Sequence, residues 1–395
     1  MLSRLEELIE ELCPDGVECR KIKDVYKRLK GTPITAGKMK EIENTNGEIR
    51  IFAGGKTVIN AIEEDIPQAN ITRVPAVLVQ SRGVIDAVYY DKPFTFKNEM
   101  WAYTAESIIE VKYLYYVLKN NIMYFREAAS GMGSLPQISL AVTEDFVVPL
   151  PPLEVQREIV RILGNFTELT AELTAELTGR KKQYEYYREN IISKSEHKLV
   201  KLHTIADIYL GLTYTPTYVE SGVKFISAQN TSSDFLNLEN VKYISEEEYK
   251  NSTSNAKPKR GDILFTRVGS NLGHPVIVDT DEELCIFVSL GYLRIKESNV
   301  LNSYIKHWLK TDLFWAQVRK NVYGAAKVNL NTGWLKDFEV QIPTIERQVE
   351  IAKLLDHFEI ICNDISVGLP AEIEARQKQY EYYREKLLTF KELGE

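Results

Sequence analysis

The 395-residue chain has no apolar run near the roughly 18 residues that a membrane span needs, so neither membrane insertion nor export is indicated. Its amino end, residues 2–12 with Glu6, Glu7, Glu10 and Glu11, reads as an acidic amphipathic helix rather than a targeting segment; a cytoplasmic location is expected. Cysteine is scarce: Cys13, Cys19, Cys285 and Cys362 form no CxxC pair, which argues for reduced thiols and against a structural zinc. The five histidines, His197, His203, His274, His307 and His357, are scattered without metal-site spacing, and no metal site is expected. A basic excess is missing too. The net charge of −7 and pI of 5.6 argue against a free-standing nucleic-acid binder, although an acidic rod can mask basic faces elsewhere. Arg50-Ile-Phe-Ala-Gly-Gly-Lys-Thr57 puts Arg where a phosphate loop requires Gly, so it reads as a hairpin turn; Gly131-x-Gly133 reads as a flexible loop.

What the chain has in plenty is repetition. Between Thr167 and Thr178 the unit Thr-Ala-Glu-Leu occurs twice in tandem after a shorter Thr-Glu-Leu. Ala, Glu and Leu favour helix, and Leu169, Leu173 and Leu177 recur every fourth residue. Ile159, Leu163 and Phe166 extend this stripe upstream; Tyr184, Tyr187 and Ile191 extend it downstream. The spacing predicts a helix of about 40 residues and about 60 Å, a length that calls for another long helix as partner.

A larger repeat organises the whole chain. Lys182-Gln-Tyr-Glu-Tyr-Tyr-Arg-Glu189 recurs at Lys378–Glu385, an offset of 196. Asp145–Gln156 parallels Asp337–Gln348 at an offset of 192, and Phe166 then matches Phe358. The second rod is therefore one four-residue unit longer. It replaces the tandem repeat with Ser366-Val-Gly-Leu-Pro-Ala-Glu372, whose Gly368 and Pro370 should kink or restart the helix.

Ahead of each rod lies a mixed segment whose edges align (Gly31 with Gly211, an offset of 180) and whose interior diverges. Runs at Ile49–Phe52, Ala76–Val79, Val84–Tyr90, Val223–Ser227, Ile263–Thr266 and Pro275–Val278 read as strands, and Val111–Asn120 and Tyr304–Thr311 as helices. The expected fold is α+β (mixed α/β): two globular domains separated by two long antiparallel coiled-coil helices, with a pseudo-twofold internal duplication. The expected segments are a first domain at 1–152, a first rod at 153–197, a second domain at 198–344 and a second rod at 345–395. Two heads on paired rods suit a long, roughly twofold ligand, and duplex DNA is the obvious candidate.

These features resemble the specificity subunit of type I restriction–modification systems along essentially the whole chain. The resemblance rests on the opening Leu5-Glu-Glu-Leu to Cys13-Pro-Asp-Gly-Val, on Pro-Leu-Pro-Pro-Leu-Glu-Val-Gln-Arg-Glu-Ile at the start of the first rod, on the tandem TAEL, and on the two copies of Lys-Gln-Tyr-Glu-Tyr-Tyr-Arg-Glu. It implies two target-recognition domains, each reading one half of a split sequence in double-stranded DNA. It also implies docking of two methyltransferase (M) subunits, which modify adenine N6 with S-adenosylmethionine, and of restriction (R) subunits that use ATP and Mg. No cofactor is implied for this chain. An adenine methyltransferase would show an Asn/Asp-Pro-Pro-aromatic tetrad, whereas the single Pro-Pro here, Pro151-Pro152, sits between Leu150 and Leu153. Chemistry is expected from the partners. The alternative is a non-catalytic protein-interaction scaffold built on the paired helices; divergent head interiors favour two different half-sites.

Candidate DNA contacts follow from residue chemistry at strand ends. Arg reads guanine, Gln and Asn read adenine, and any of them can hold phosphate. Gln80, Ser81 and Arg82 follow one apolar run; Arg267, Ser270 and Asn271 form their counterpart; Gln229 and Asn230 make a third group. Lys56, Lys97 and Lys327 are candidate phosphate contacts. On the rods, Leu169, Leu173, Leu177, Tyr184, Tyr187, Tyr380 and Tyr383 are expected to serve helix packing and partner docking rather than base stacking.

Overall fold

A computed structural model describes residues 2–55, 57–130, 135–269, 271–321, 329–364 and 366–394. The chain forms two units: Met1–Ala171 with Arg376–Glu395, and Glu172–Ala375. The contact boundary thus falls inside the TAEL run, and each unit gathers one head with part of both rods.

In unit 1 the head carries two sheets. Lys27–Leu29, Trp101–Thr104, Ala76–Gln80 and Asp86–Tyr90 lie in that order, all antiparallel. Val58–Ala61, Ile49–Phe52 and Phe94–Phe96 make the second, with the last pair parallel. The helix Ile108–Asn120 starts with a capping box, in which Ser107 Oγ accepts from Ile109 N (3.1 Å) and Glu110 accepts from Ser107 N (2.9 Å). It buries Val111, Leu114 and Val117 in one core with Ile159 and Leu163 of the first rod and Leu387 and Leu388 of the second.

Unit 2 repeats the plan. Ala206–Leu210, Leu290–Ile295, Ile263–Thr266 and Pro275–Ile277 form the antiparallel sheet. The second sheet runs Tyr218–Val219, Lys242–Ile244, Val223–Ile226 and Leu284–Ile286, again ending in a parallel pair. In both heads a two-stranded clasp closes the segment: Glu18–Lys21 with Val147–Leu150, and Lys198–Lys201 with Glu339–Ile342. Matching hydrogen bonds brace it. Tyr113 Oη donates to Pro149 O (3.0 Å) and Tyr304 Oη to Gln341 O (2.8 Å); Gln156 donates to Pro151 O (2.8 Å) and Gln348 to Pro343 O (2.9 Å). The aligned glycines are explained by crowding. A Cβ on Gly31 would stand 2.5 Å from Phe96 O, and one on Gly211 2.2 Å from Phe287 O, so only glycine lets those strands approach.

The first rod is one helix, Leu153–Lys194, of 42 residues and about 63 Å. Within the TAEL run Leu169, Leu173 and Leu177 are half-buried while Glu168, Glu172 and Glu176 are exposed. Thr167, Thr170 and Thr178 turn their hydroxyls back to the carbonyls four residues earlier (3.0, 2.8 and 2.9 Å), which satisfies them within the helix. The second rod breaks as expected, into Ile345–Asn363 and Leu369–Leu388. Gly368 has no room for a Cβ, which would meet Ile360 O at 2.4 Å, and Pro370 occupies the first turn of the new helix, where its missing N–H costs nothing.

The rods pair reciprocally. In unit 1 Phe166 stacks on Tyr383 at 5.4 Å and 25°. In unit 2 the repeat copies exchange places: Phe358 meets Tyr187 at 5.7 Å and Tyr184 at 6.4 Å. Within each unit the start of one rod thus meets the later part of the other, which is antiparallel pairing.

Candidate nucleic-acid interface

In unit 1 four turns meet at the end of the sheets. Gly55 N donates to Arg82 O (3.0 Å), Gly83 N to Pro136 O (2.9 Å), Ile138 N to Ser81 O (3.0 Å) and Lys97 N to Phe52 O (2.9 Å). Gly55 and Gly83 hold φ of +73° and +79°, a conformation that disfavours any side chain, and the space beyond Gly55 is open. Glu99 ties the turns together. Its carboxylate accepts from Gly54 N (3.0 Å), so close that a Cβ on Gly54 would displace it, and pairs with Lys97 (2.9 Å), while its carbonyl accepts from Ser81 Oγ. Partial burial works against the charge on Glu99, but the hydrogen bonds from Lys97 and Gly54 and the positive charges of Lys97 and Arg82 hold its pKa below the usual carboxylate value.

The predicted residues therefore separate. Arg82 is exposed at the open edge, and Lys97 is half-buried in its ion pair. Gln80 and Ser81 are buried, Gln80 inside a strand opposite Asp86. Lys56 lies outside the described residues. Glu99 was missed by the sequence reading because a Lys-x-Glu pair carries no signal until the glycine turn is placed against it.

In unit 2 Gln229 is exposed, whereas Asn230 is buried: its Oδ1 accepts from Ser227 N (2.9 Å) and its Nδ2 donates to Asn237 O (3.2 Å). Arg267 donates to Val288 O (3.0 Å) and Leu330 O (3.2 Å), so its guanidinium ties two backbone segments together. Asn271 donates to Ser232 O at 3.3 Å. Ser270 and Lys327 lie outside the described residues. The counterpart expected for Arg82 also shifts by one position. Leu330 N donates to Arg267 O (3.1 Å) as Ile138 N does to Ser81 O, so backbone register equates Arg267 with Ser81 and places Val268 where unit 1 has Arg82.

On the rods, Tyr184 is buried, Tyr380 is half-buried, and Arg188 and Arg384 lie over their rings at 5.1 and 5.2 Å. Tyr187 and Tyr383 pack by one face, and the copies Tyr186 and Tyr382 are 63% and 62% exposed. A cleft of about 600 Å³ separates head from rod in unit 1, lined by Tyr89, Lys112, Tyr115, Lys119, Gly164 and Thr167. The corresponding cleft in unit 2 is about 330 Å³ and includes Tyr184, Arg188, Asp234, His274, Lys310 and Asn363.

Beneath that second cleft lies a polar network that the sequence reading also missed. Lys306 and Lys310 both donate to Glu359, Lys306 Nζ lies 3.3 Å from Asp356 Oδ1, and Ser303 Oγ donates to Asp356 (2.6 Å). Since a carboxylate only accepts, His307 Nε2 donates to Asp356 Oδ1 (2.8 Å), which leaves Nδ1 to accept from the Tyr184 hydroxyl (3.1 Å). Burial holds His307 below its ordinary value of 6.5, so it is neutral. Burial opposes the charge of Asp356, yet the bond from His307 and the charge of Lys306 hold its pKa well below the usual range. His307, Asp356 and Glu359 stand close enough to share a cation, but Glu359 already faces two lysines. The available signal was two lysines, 306 and 310, on one face of an apolar helix.

The model for the type I restriction modification DNA specificity domain matches residues 14–179 and 195–375. A putative type I restriction enzyme specificity subunit from Haemophilus influenzae is 32% identical over 75% of this chain and 77% of its own length. The EcoR124I/EcoR124II specificity subunit from Escherichia coli is 33% identical over 71% of each. Among solved structures, the type I restriction-modification S subunit from M. genitalium shares the fold with a TM-score of 0.62 over 94% of this chain and 96% of its own, at 16% identity. With both halves matched and two heads on reciprocal rods, the chain belongs to the family of type I restriction–modification specificity subunits.

Proposed function

We propose that each head reads one half-site of a split sequence in double-stranded DNA and that the paired rods fix the gap between them. The carrying observation is that two heads with one sheet plan present different side chains at matching turns: exposed Arg82 beside the Lys97–Glu99 pair in one, where the other has Val268, and exposed Gln229 after the strand Val223–Ile226, where the first has its Gly54–Gly55 turn. Arg82 suits guanine or phosphate, Gln229 suits adenine, and Glu99 can accept from the cytosine amino group once Lys97 turns to a phosphate. Lys56, Ser270 and Lys327 remain in this proposed set by sequence position. The chain is the non-catalytic member of its system; methyl transfer to adenine N6 with S-adenosylmethionine and ATP- and Mg-dependent cleavage belong to methyltransferase and restriction subunits. The exposed copies Tyr186 and Tyr382 offer the same surface twice, which suits two methyltransferase subunits.

One TAEL unit lengthens a helix by about 6 Å and turns it by about 40°, against about 3.4 Å per base pair. Deleting Thr174–Leu177 is therefore expected to shorten the gap by about one or two base pairs with both half-sites unchanged. The direct test is a map of N6-methyladenine in the host with and without this gene. Loss of one split motif supports the reading; an unchanged map in a host that expresses the chain with its methyltransferase sinks it.

A further inference from the structure

The loop that carries Gln229 continues through Thr231–Asp234 to the second rod, and Asp234 is where they meet. Its side chain is 12% exposed. Oδ1 accepts from Lys310 and lies 3.3 Å from His274 Nε2; Oδ2 accepts from Asn363 Nδ2 at 2.5 Å. Asn363 is the last residue of the helix Ile345–Asn363, immediately before the break, and Lys310 reaches on to Glu359 one turn earlier. The neighbouring turn grips the same loop, with Asn271 donating to Ser232 O (3.3 Å) and His274 Nε2 to Ser233 O (2.9 Å). Both candidate reading turns of this head are thus joined to one point on the rod. Unit 1 is built differently at the matching place. Its rod offers Thr167 and Ala171 where the second rod has Glu359 and Asn363, and Lys119, the copy of Lys310, pairs with Asp86 of its own head (2.7 Å).

We propose that Asp234 is a positioning residue that locks the loop 229–234 to the end of the helix Ile345–Asn363, so that the phase of the second rod sets where the second half-site is read. This rests on the split-site reading above. A residue that only stabilised the head would lower occupancy at every gap. A pin instead changes which gaps are accepted and leaves the bases of each half-site alone.

The test is to map N6-methyladenine in the host carrying Asp234→Asn, Asn363→Asp and the double exchange in the full chain. Asn363→Asp sets two carboxylates against each other, Asp234→Asn reduces the charged bond to one between neutral amides and removes the charge that faces Lys310, and the double change restores one carboxylate, one amide and the net charge. The singles are expected to keep both half-sites and to raise methylation at gaps one base pair longer or shorter by about tenfold, the factor that one hydrogen bond to a charged group corresponds to, and the exchange to restore the wild-type gap. Asn363→Ala, which leaves every ion pair intact, guards against misfolding of the singles and is expected to spread the gap less, in the same direction. The proposal is overturned if Asn363→Ala and the soluble singles keep the wild-type gap, if a half-site changes while the gap does not, or if the exchange fails to rescue. If the wild-type chain supports no split motif, the split-site reading itself fails and takes the pin with it.

Discussion

The two head-to-rod seams occupy the same place in the same fold and are held by different physics. In unit 1 the helix Ile108–Asn120 presents Tyr115, Tyr116 and Lys119, and the rod answers with Gly164, Thr167 and Ala171 beside an open cleft. In unit 2 the matching residues are Lys306, His307 and Lys310 against Asp356, Glu359 and Asn363. Aromatic surface over small residues tolerates sliding, because apolar contact has little directional preference. A buried charge network does not, because each group needs its partner in place. The backbone bonds of the clasp are alike in both units, whereas the seams differ, one adaptable and one fixed.

The largest effect should come from removing one member of the fixed seam. Glu359 is 1% exposed and faces both Lys306 and Lys310, so Glu359→Ala leaves two buried ammonium groups short of a partner, at a cost of about 3–5 kcal/mol. The matching Thr167→Ala in unit 1 is expected to cost less, about 1 kcal/mol, since it loses one intrahelical hydroxyl bond and the hydrogen bond with Tyr116, both between neutral groups. Denaturant unfolding followed by Trp308, Trp315 and Trp334 for one unit and, in a variant with those three replaced by Phe, by Trp101 for the other measures both; equal losses would show that the seams do not differ as argued.

A smaller effect, alike in both units, tests what duplication kept. Gly31→Ala and Gly211→Ala each drive a methyl group into a backbone oxygen, and overpacking of this kind costs about 1–3 kcal/mol. Thermal melts should place the two variants close together. A large gap between them would mean that the heads share a strand order without sharing its tight approach.

These cases also show what could be read before any coordinates. The rods, the restart at Gly368 and Pro370, and the strands Ile49–Phe52 and Ile263–Thr266 follow from local periodicity and from residues with one conformational use, which a sequence displays directly. The clasp strand Lys198–Lys201 and the short strands Lys27–Leu29 and Phe94–Phe96 were invisible because they are defined by partners about 45 to 140 positions away. Candidate contacts fared by the same rule. Arg82 and Gln229 stand exposed as chemistry at a strand end suggests, but Asn230 and Arg267, identical in type to residues that read bases, are taken up by backbone groups that only the fold brings near. The network at Lys306 was hidden for the same reason: its carboxylates lie about fifty residues downstream.

Acid should separate the units next. All five histidines fall in unit 2, and His307 and His274 are held below 6.5, first by burial and in His274 next by the charge of Lys310. The native imidazoles stay neutral while an unfolded chain takes up protons below that value. Their contribution is whole above pH 6.5 and is lost as pH falls towards the depressed native values. Asp234 and Asp356 are held below 3.8 despite burial, by Lys310 in one case and by His307 and Lys306 in the other, so their contribution is lost only in stronger acid. Amide protection in Asn302–Leu309 should therefore begin to fall just below pH 6.5, while Ile108–Asn120 holds. Parallel loss in both helices would assign the acid response to something other than this network.

The smallest expected difference lies where the rods exchange copies. Phe166 meets one tyrosine, Tyr383, whereas Phe358 meets both Tyr187 and Tyr184. An aromatic pair contributes about 0.5–1.5 kcal/mol beyond its buried area. Phe166→Leu should therefore cost about one such increment and Phe358→Leu somewhat more. Because the two contacts share no residue, the double variant should lose the sum within about 0.5 kcal/mol. Strong non-additivity would mean that the paired rods respond as one body, so that a change where the first rod begins reaches the start of the second. The TAEL count and the Asp234 pin would then act on a single setting of the gap, whereas additive losses leave each seam to set its own head.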